Sequence, residues 1–67
     1  MKEGDNLNEN RIASIRKAKK ITQSDLAKRL KINRSYLSEV ENGKATPSIR
    51  LLERIADELG VSIKDFF

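Results

Sequence analysis

The sequence contains no cysteine and no histidine. The first absence excludes a disulfide framework and any thiolate metal site. The second removes the commonest general base and zinc ligand. No apolar run approaches the ~20 residues that a bilayer-spanning helix needs, and the opening Met1-Lys2-Glu3-Gly4-Asp5 is too polar for a secretory signal. Period-2 alternation of apolar and polar residues is missing as well, so no strand is expected. These absences point away from an enzyme, a cofactor, a membrane partner or a small-molecule ligand, and toward a cytoplasmic location. The carboxylates of Asp57 and Glu58 do not change that reading, because they fall on the solvated side of an expected helix.

What is present is helix-forming chemistry: Leu, Ile, Ala, Lys, Arg and Glu dominate, with 4% aromatics and a single proline. Sixty-seven residues suffice for one domain. A chain of this size buries only about 60% of its unfolded surface, so it must rely on well-matched helices, a partner subunit, or both. The net charge of +4 is unevenly placed, at +3 over residues 1–20, +2 over 21–48 and −1 over 49–67. A basic first two-thirds suits a polyanionic partner, although many domains carry such a charge without one.

Residues 1–7 are polar and aperiodic and read as a flexible arm, leaving 8–67 as the folded domain. Asn8 is the expected cap of a first helix over 9–19, with Ile12 and Ile15 on its buried side and Lys17, Lys19 and Lys20 near its C-terminus. Thr22, with Asp25 three residues on, predicts a capping box opening a second helix to Leu30, whose inward stripe is Leu26, Ala27 and Leu30. Asn33 caps a third helix that runs to about Asn42 and ends at Gly43. A fourth, over 49–59 after Pro47-Ser48, places Ile49, Leu52, Ile55, Ala56 and Leu59 on one stripe and ends at Gly60. Its polar side pairs Arg50 with Glu53 and Arg54 with Glu58 by spacing. Ser62 with Asp65 caps a last short turn. The expectation is an all-α, compact bundle of five short helices.

At about 100° per residue, the third helix separates into two faces. Asn33, Tyr36, Leu37, Val40 and Glu41 fall on one side; Arg34, Ser35, Ser38, Glu39 and Asn42 fall on the other, which has no aliphatic residue. Arg pairs bidentately with guanine O6 and N7, and Glu accepts from cytosine N4, but any surface helix has a polar face. The spacing of the whole region is more specific. The pattern Gln23-x-x-Leu26-Ala27-x-x-Leu30-x-Ile32-x-x-x-x-Leu37-Ser38-x-Val40-Glu41-Asn42-Gly43-x-x-x-Pro47 resembles the Cro/C1-type (XRE) helix-turn-helix family. With Arg16 in the first helix and the closing Leu59-Gly60-Val61-Ser62-Ile63, the resemblance covers roughly residues 9–66.

The resemblance implies a lambda-repressor-like fold and a transcriptional regulator, more often a repressor, that binds double-stranded DNA with its third helix in the major groove. It assigns Arg34, Ser35 and Glu39 to base reading, with Asn33, Tyr36 and Ser38 as secondary candidates. Thr22, Gln23, Asn42 and Lys44 fall to the phosphate backbone, with Tyr36 divided between a phosphate hydrogen bond and packing. Arg16 and Glu41 match a structural pair between the first helix and the end of the third. One domain of this size covers only about 600–1,000 Å² of DNA, so a homodimer on an inverted repeat is expected. Ile63, Phe66 and Phe67 are candidates for its surface, although Ile63 and Phe66 also suit closing the core, which is the favoured reading for Phe66. Lys31 departs from the family, which often has Gly there, and must adopt the left-handed conformation itself. An antitoxin of a toxin–antitoxin operon, or a protein-interaction module that retains the fold, are the alternatives.

Overall fold

The computed structural model describes residues 10–67 as four α-helices, α1 (Ile12–Ala18), α2 (Gln23–Leu30), α3 (Arg34–Glu41) and α4 (Ile49–Leu59). A single 3-10 turn, Ile63–Phe66, closes the chain, and no strand occurs among the described residues. No described helix is long and apolar enough to cross a membrane. The expectation of five helices is thus corrected to four and a turn. The last segment is four residues long and winds with i→i+3 bonds, Asp65 N–H donating to the Ser62 carbonyl at 2.9 Å.

Three helices begin where the sequence offers a side-chain acceptor. Thr22 Oγ1 accepts from Asp25 N–H at 3.0 Å, Asn33 Oδ1 from Ser35 N–H at 2.8 Å, and Ser48 Oγ from Leu51 N–H at 3.1 Å. The capping box expected at Thr22 is only half used, since the Asp25 carboxylate lies 3.0 Å from Arg29, one turn along. At the closing turn the Asp65 carboxylate does reach back, accepting from Ser62 N–H at 3.0 Å. The first helix begins later than its sequence suggested. Asn10 opens it, its Oδ1 accepting the Ile12 N–H at 3.0 Å while its Nδ2 donates to the Val40 carbonyl at 2.9 Å. The expected cap Asn8 and the expected arm over 1–7 lie outside the described residues.

All four α-helices end in the same way. The second or third residue past each end donates back to a carbonyl five residues earlier: Ile21 to Arg16, Ile32 to Ala27, Lys44 to Glu39 and Val61 to Ala56, at 2.8–3.1 Å. This bond requires a left-handed residue at the junction. Gly43 and Gly60 fill two of the four positions, and Lys20 (φ 61°) and Lys31 (φ 59°) fill the others. Each lysine costs about 1 kcal/mol there. Lys31 was expected in this conformation; Lys20 was not.

The core gathers one face from every element, with Ile12, Leu26, Leu30, Leu37, Val40, Ile55 and Phe66 all essentially inaccessible. Both α3 and α4 pack on α2. Phe66, offered by the sequence as a dimer-surface candidate, is 0% exposed and closes the core; its carbonyl accepts from Arg11 N–H at 2.9 Å. The stripe assigned to α4 also needs a correction. Ile49 is 65% exposed, whereas Leu51, one strip over, is buried. Ile49 is the first residue of α4 and lines a surface groove. Arg54 donates to the Leu30 carbonyl and so completes the last turn of α2 from a neighbouring helix.

Candidate nucleic-acid interface

The polar face of α3 emerges from the way its caps and core residues orient it. Leu37 and Val40 are held in the core, which turns Arg34, Ser35 and Glu39 to solvent and leaves Ser38 half-buried. Gln23, the first residue of α2, faces this helix across a cleft of about 310 Å³ lined by Gln23, Arg34, Ser35 and Ser38. Four of the residues singled out in the sequence thus meet in one place. Thr22 and Gln23 stand at the N-terminus of α2, where unpaired backbone N–H groups favour an anion.

Beneath the cleft lies a polar node. Arg16 and Glu41 are 7% and 8% exposed, and their pairing is bidentate: Arg16 Nε donates to Glu41 Oε2 at 2.8 Å and Nη2 to Oε1 at 3.1 Å. The remaining terminal nitrogen, Nη1, donates to the Ile21 carbonyl at 2.8 Å. Such satisfaction is what a buried charge requires, because desolvation is otherwise uncompensated. The node also reaches the surface. Gln23 Nε2 donates to Glu41 Oε1 at 3.0 Å, and Arg34 Nε donates to Gln23 Oε1 at 3.2 Å. The sequence pointed to Arg16 with Glu41 as a pair, but not to the continuation through Gln23 to Arg34. Those partners lie 18 and 11 residues apart on different helices, and no periodicity rule links them.

Asn33 is exposed, but its side-chain oxygen is engaged in capping α3. Tyr36 is half-buried and packs against the core. Asn42 and Lys44 are exposed just past α3, with Asn42 Nδ2 donating to Ser38 Oγ at 3.4 Å. Ile63 is half-buried against the core, and Phe67 is 65% exposed. Phe67 and Ile49, the exposed large apolar side chains among the described residues, line one groove with Pro47 and Leu52. Ile49 was missed as a surface residue because its helical spacing is that of a core position.

Comparison with known proteins identifies the family. Residues 12–66 match the helix-turn-helix family model. The chain is 42% identical over 53 residues to an immunity repressor protein of Bacillus phage phi105, covering 79% of this chain but only 37% of the repressor. It is 40% identical over 58 residues to an HTH-type transcriptional regulator of Methanocaldococcus jannaschii, covering 87% of this chain and 88% of that one. Among solved structures, the master regulator for biofilm formation SinR, in complex with DNA, superposes with a TM-score of 0.72 at 40% identity, covering 81% of this chain and 87% of that chain. The chain therefore belongs to the helix-turn-helix family of the Cro/C1 type, whose members are DNA-binding transcriptional regulators rather than enzymes.

Proposed function

We propose that this protein is a repressor that binds an inverted-repeat operator as a homodimer, with α3 in the major groove. The observation that carries this reading is the cleft between α2 and α3, where Gln23, Arg34, Ser35 and Ser38 converge on an exposed helix face free of aliphatic side chains. Arg34, Ser35, Ser38 and Glu39 read base edges, with Asn33 at the rim of the same surface. Glu39 repels phosphate and is satisfied only by a donor such as cytosine N4, so it favours specificity over affinity. The backbone N–H groups at Gln23 and the side chains of Thr22, Asn42 and Lys44 grip phosphates on either side of the groove, and Tyr36 holds α3 in place from the edge of the core. The likeness to a phage immunity repressor and to a DNA-bound regulator supports the same assignment.

Dimerisation uses the apolar groove lined by Phe67 and Ile49, with the half-buried Ile63 as a further contact; Phe66 takes no part, being enclosed. The protein works in the cytoplasm, where its DNA partner lies. The decisive test is selection of bound sequences from a randomised duplex pool at moderate salt. Enrichment of an inverted repeat with half-sites about 34 Å apart is expected; retention of DNA without any sequence preference would overturn the reading. Sizing over a concentration series, with Phe67→Ser beside the wild type, tests the dimer surface. A wild-type protein that stays monomeric at every concentration, alone and on DNA, would count against it.

A further inference from the structure

Resting on the DNA-binding reading above, we propose that the buried Arg16–Glu41 pair sets the orientation of the Gln23 amide, and that Gln23 in turn presents Arg34 to a guanine. Glu41 and Arg16 have side chains only 4% and 8% exposed. A carboxylate paired with a guanidinium can accept hydrogen bonds but cannot donate them. The end of Gln23 that meets Glu41 must therefore be the amide nitrogen, found 3.0 Å from Oε1. Gln23 Oε1 is thereby turned outward as an acceptor, and Arg34 Nε donates to it at 3.2 Å. Were the amide reversed, its NH₂ would confront the Arg34 guanidinium, donor against donor.

The consequence is chemical selectivity. With Nε engaged by Gln23, the terminal edge of the Arg34 guanidinium carries the remaining N–H groups in a fixed plane. Two parallel donors match guanine O6 and N7, whereas adenine places its own N6 donor beside N7. The lost rotamer freedom of a long, exposed side chain is also taken before DNA arrives rather than on binding. Gln23 is thus a positioning residue for base choice in addition to its place at the phosphates, and Glu41 acts on the DNA through it.

The test is base preference at single positions, measured by competition among duplexes that differ at one base pair of the selected half-site. Three proteins are compared: wild type, Arg34→Lys and Gln23→Met, each checked for folding by circular dichroism. Arg34→Lys keeps the charge but loses the fork, and identifies the base pair that Arg34 reads. The wild type is expected to favour guanine there by roughly 10- to 100-fold, a preference that Arg34→Lys abolishes while leaving the other positions intact. Gln23→Met is expected to reduce the guanine preference at that same position several-fold more than at any other. Uniform weakening across all sequences by Gln23→Met, with the guanine preference unchanged, would overturn the inference and leave Gln23 as a phosphate contact alone. A base other than guanine at the Arg34 position would overturn it too, without touching the DNA-binding reading. Failure of the wild type to prefer any sequence would remove both.

Discussion

The core around Phe66 and the polar node around Glu41 are both shielded from water, yet they hold the chain together by different physics. Phe66, Leu26, Leu37 and Ile55 contribute through area removed from solvent, at about 25 cal/mol per Å², and no single direction of contact is required. The Arg16–Glu41–Gln23 node contributes through orientation, with donors and acceptors 2.8–3.1 Å apart on three different segments. Taking two charges out of water nearly cancels their attraction. What the node adds is a fixed geometry at the surface where α2 meets α3. The core explains why the chain folds; the node explains why one edge of it presents a defined pattern of donors and acceptors.

Substitutions distinguish the two contributions. Phe66→Ala should have the largest effect, about 3–5 kcal/mol, in a domain whose total stability is on the order of 3–10 kcal/mol. Urea unfolding followed by circular dichroism should show a large loss of midpoint, and an unmoved midpoint would contradict the burial. Arg16→Ala should cost about 3 kcal/mol, because Glu41 is then left buried with its main partner gone. The sharper experiment replaces both partners, Arg16→Met with Glu41→Leu. If the node is about orientation, the double variant should recover most of the lost stability yet not the wild type's DNA selectivity. A double variant as unstable as the single would mean that the ion pair is a net source of stability.

Smaller effects separate strain from ornament. Lys31→Gly should raise stability by up to about 1 kcal/mol by relieving the left-handed backbone, seen as a higher thermal midpoint. A lower midpoint would show that the Lys31 side chain makes up for its own conformation. Arg29→Ala removes a half-exposed pair with Asp25 and should change stability by less than about 0.5 kcal/mol. Exceeding that would place the Asp25 carboxylate in a larger role at the start of α2 than its distance suggests.

Residues whose task is local were legible in the sequence. Thr22, Asn33 and Ser48 cap the helices they precede, and Gly43 and Gly60 end the helices they follow, because each of these roles depends on a backbone group two or three positions away. The polar face of α3 was legible for the same reason, since helical spacing alone separates Leu37 and Val40 from Arg34, Ser35 and Glu39. Misreadings occurred where a neighbouring element decides. Ile49 has the spacing of a core residue, but the groove beside Pro47 and Phe67 leaves it in solvent. Asn10 opens α1 while also tying it to the end of α3, a contact across 30 residues.

The helical class, three of the helix starts and the face that α3 turns outward were legible along the chain as consequences of short-range hydrogen bonding and of helical period, and the left-handed turn at Lys31 followed from the resemblance to the Cro/C1-type family. Only the tertiary structure decided that Phe66 is enclosed and Phe67 is not, and that Glu41, Gln23 and Arg34 form one line of hydrogen bonds from the interior to the surface. Those outcomes depend on which atoms of distant segments come within about 3 Å of each other, and that distance is set by how the helices pack, not by any interval along the chain.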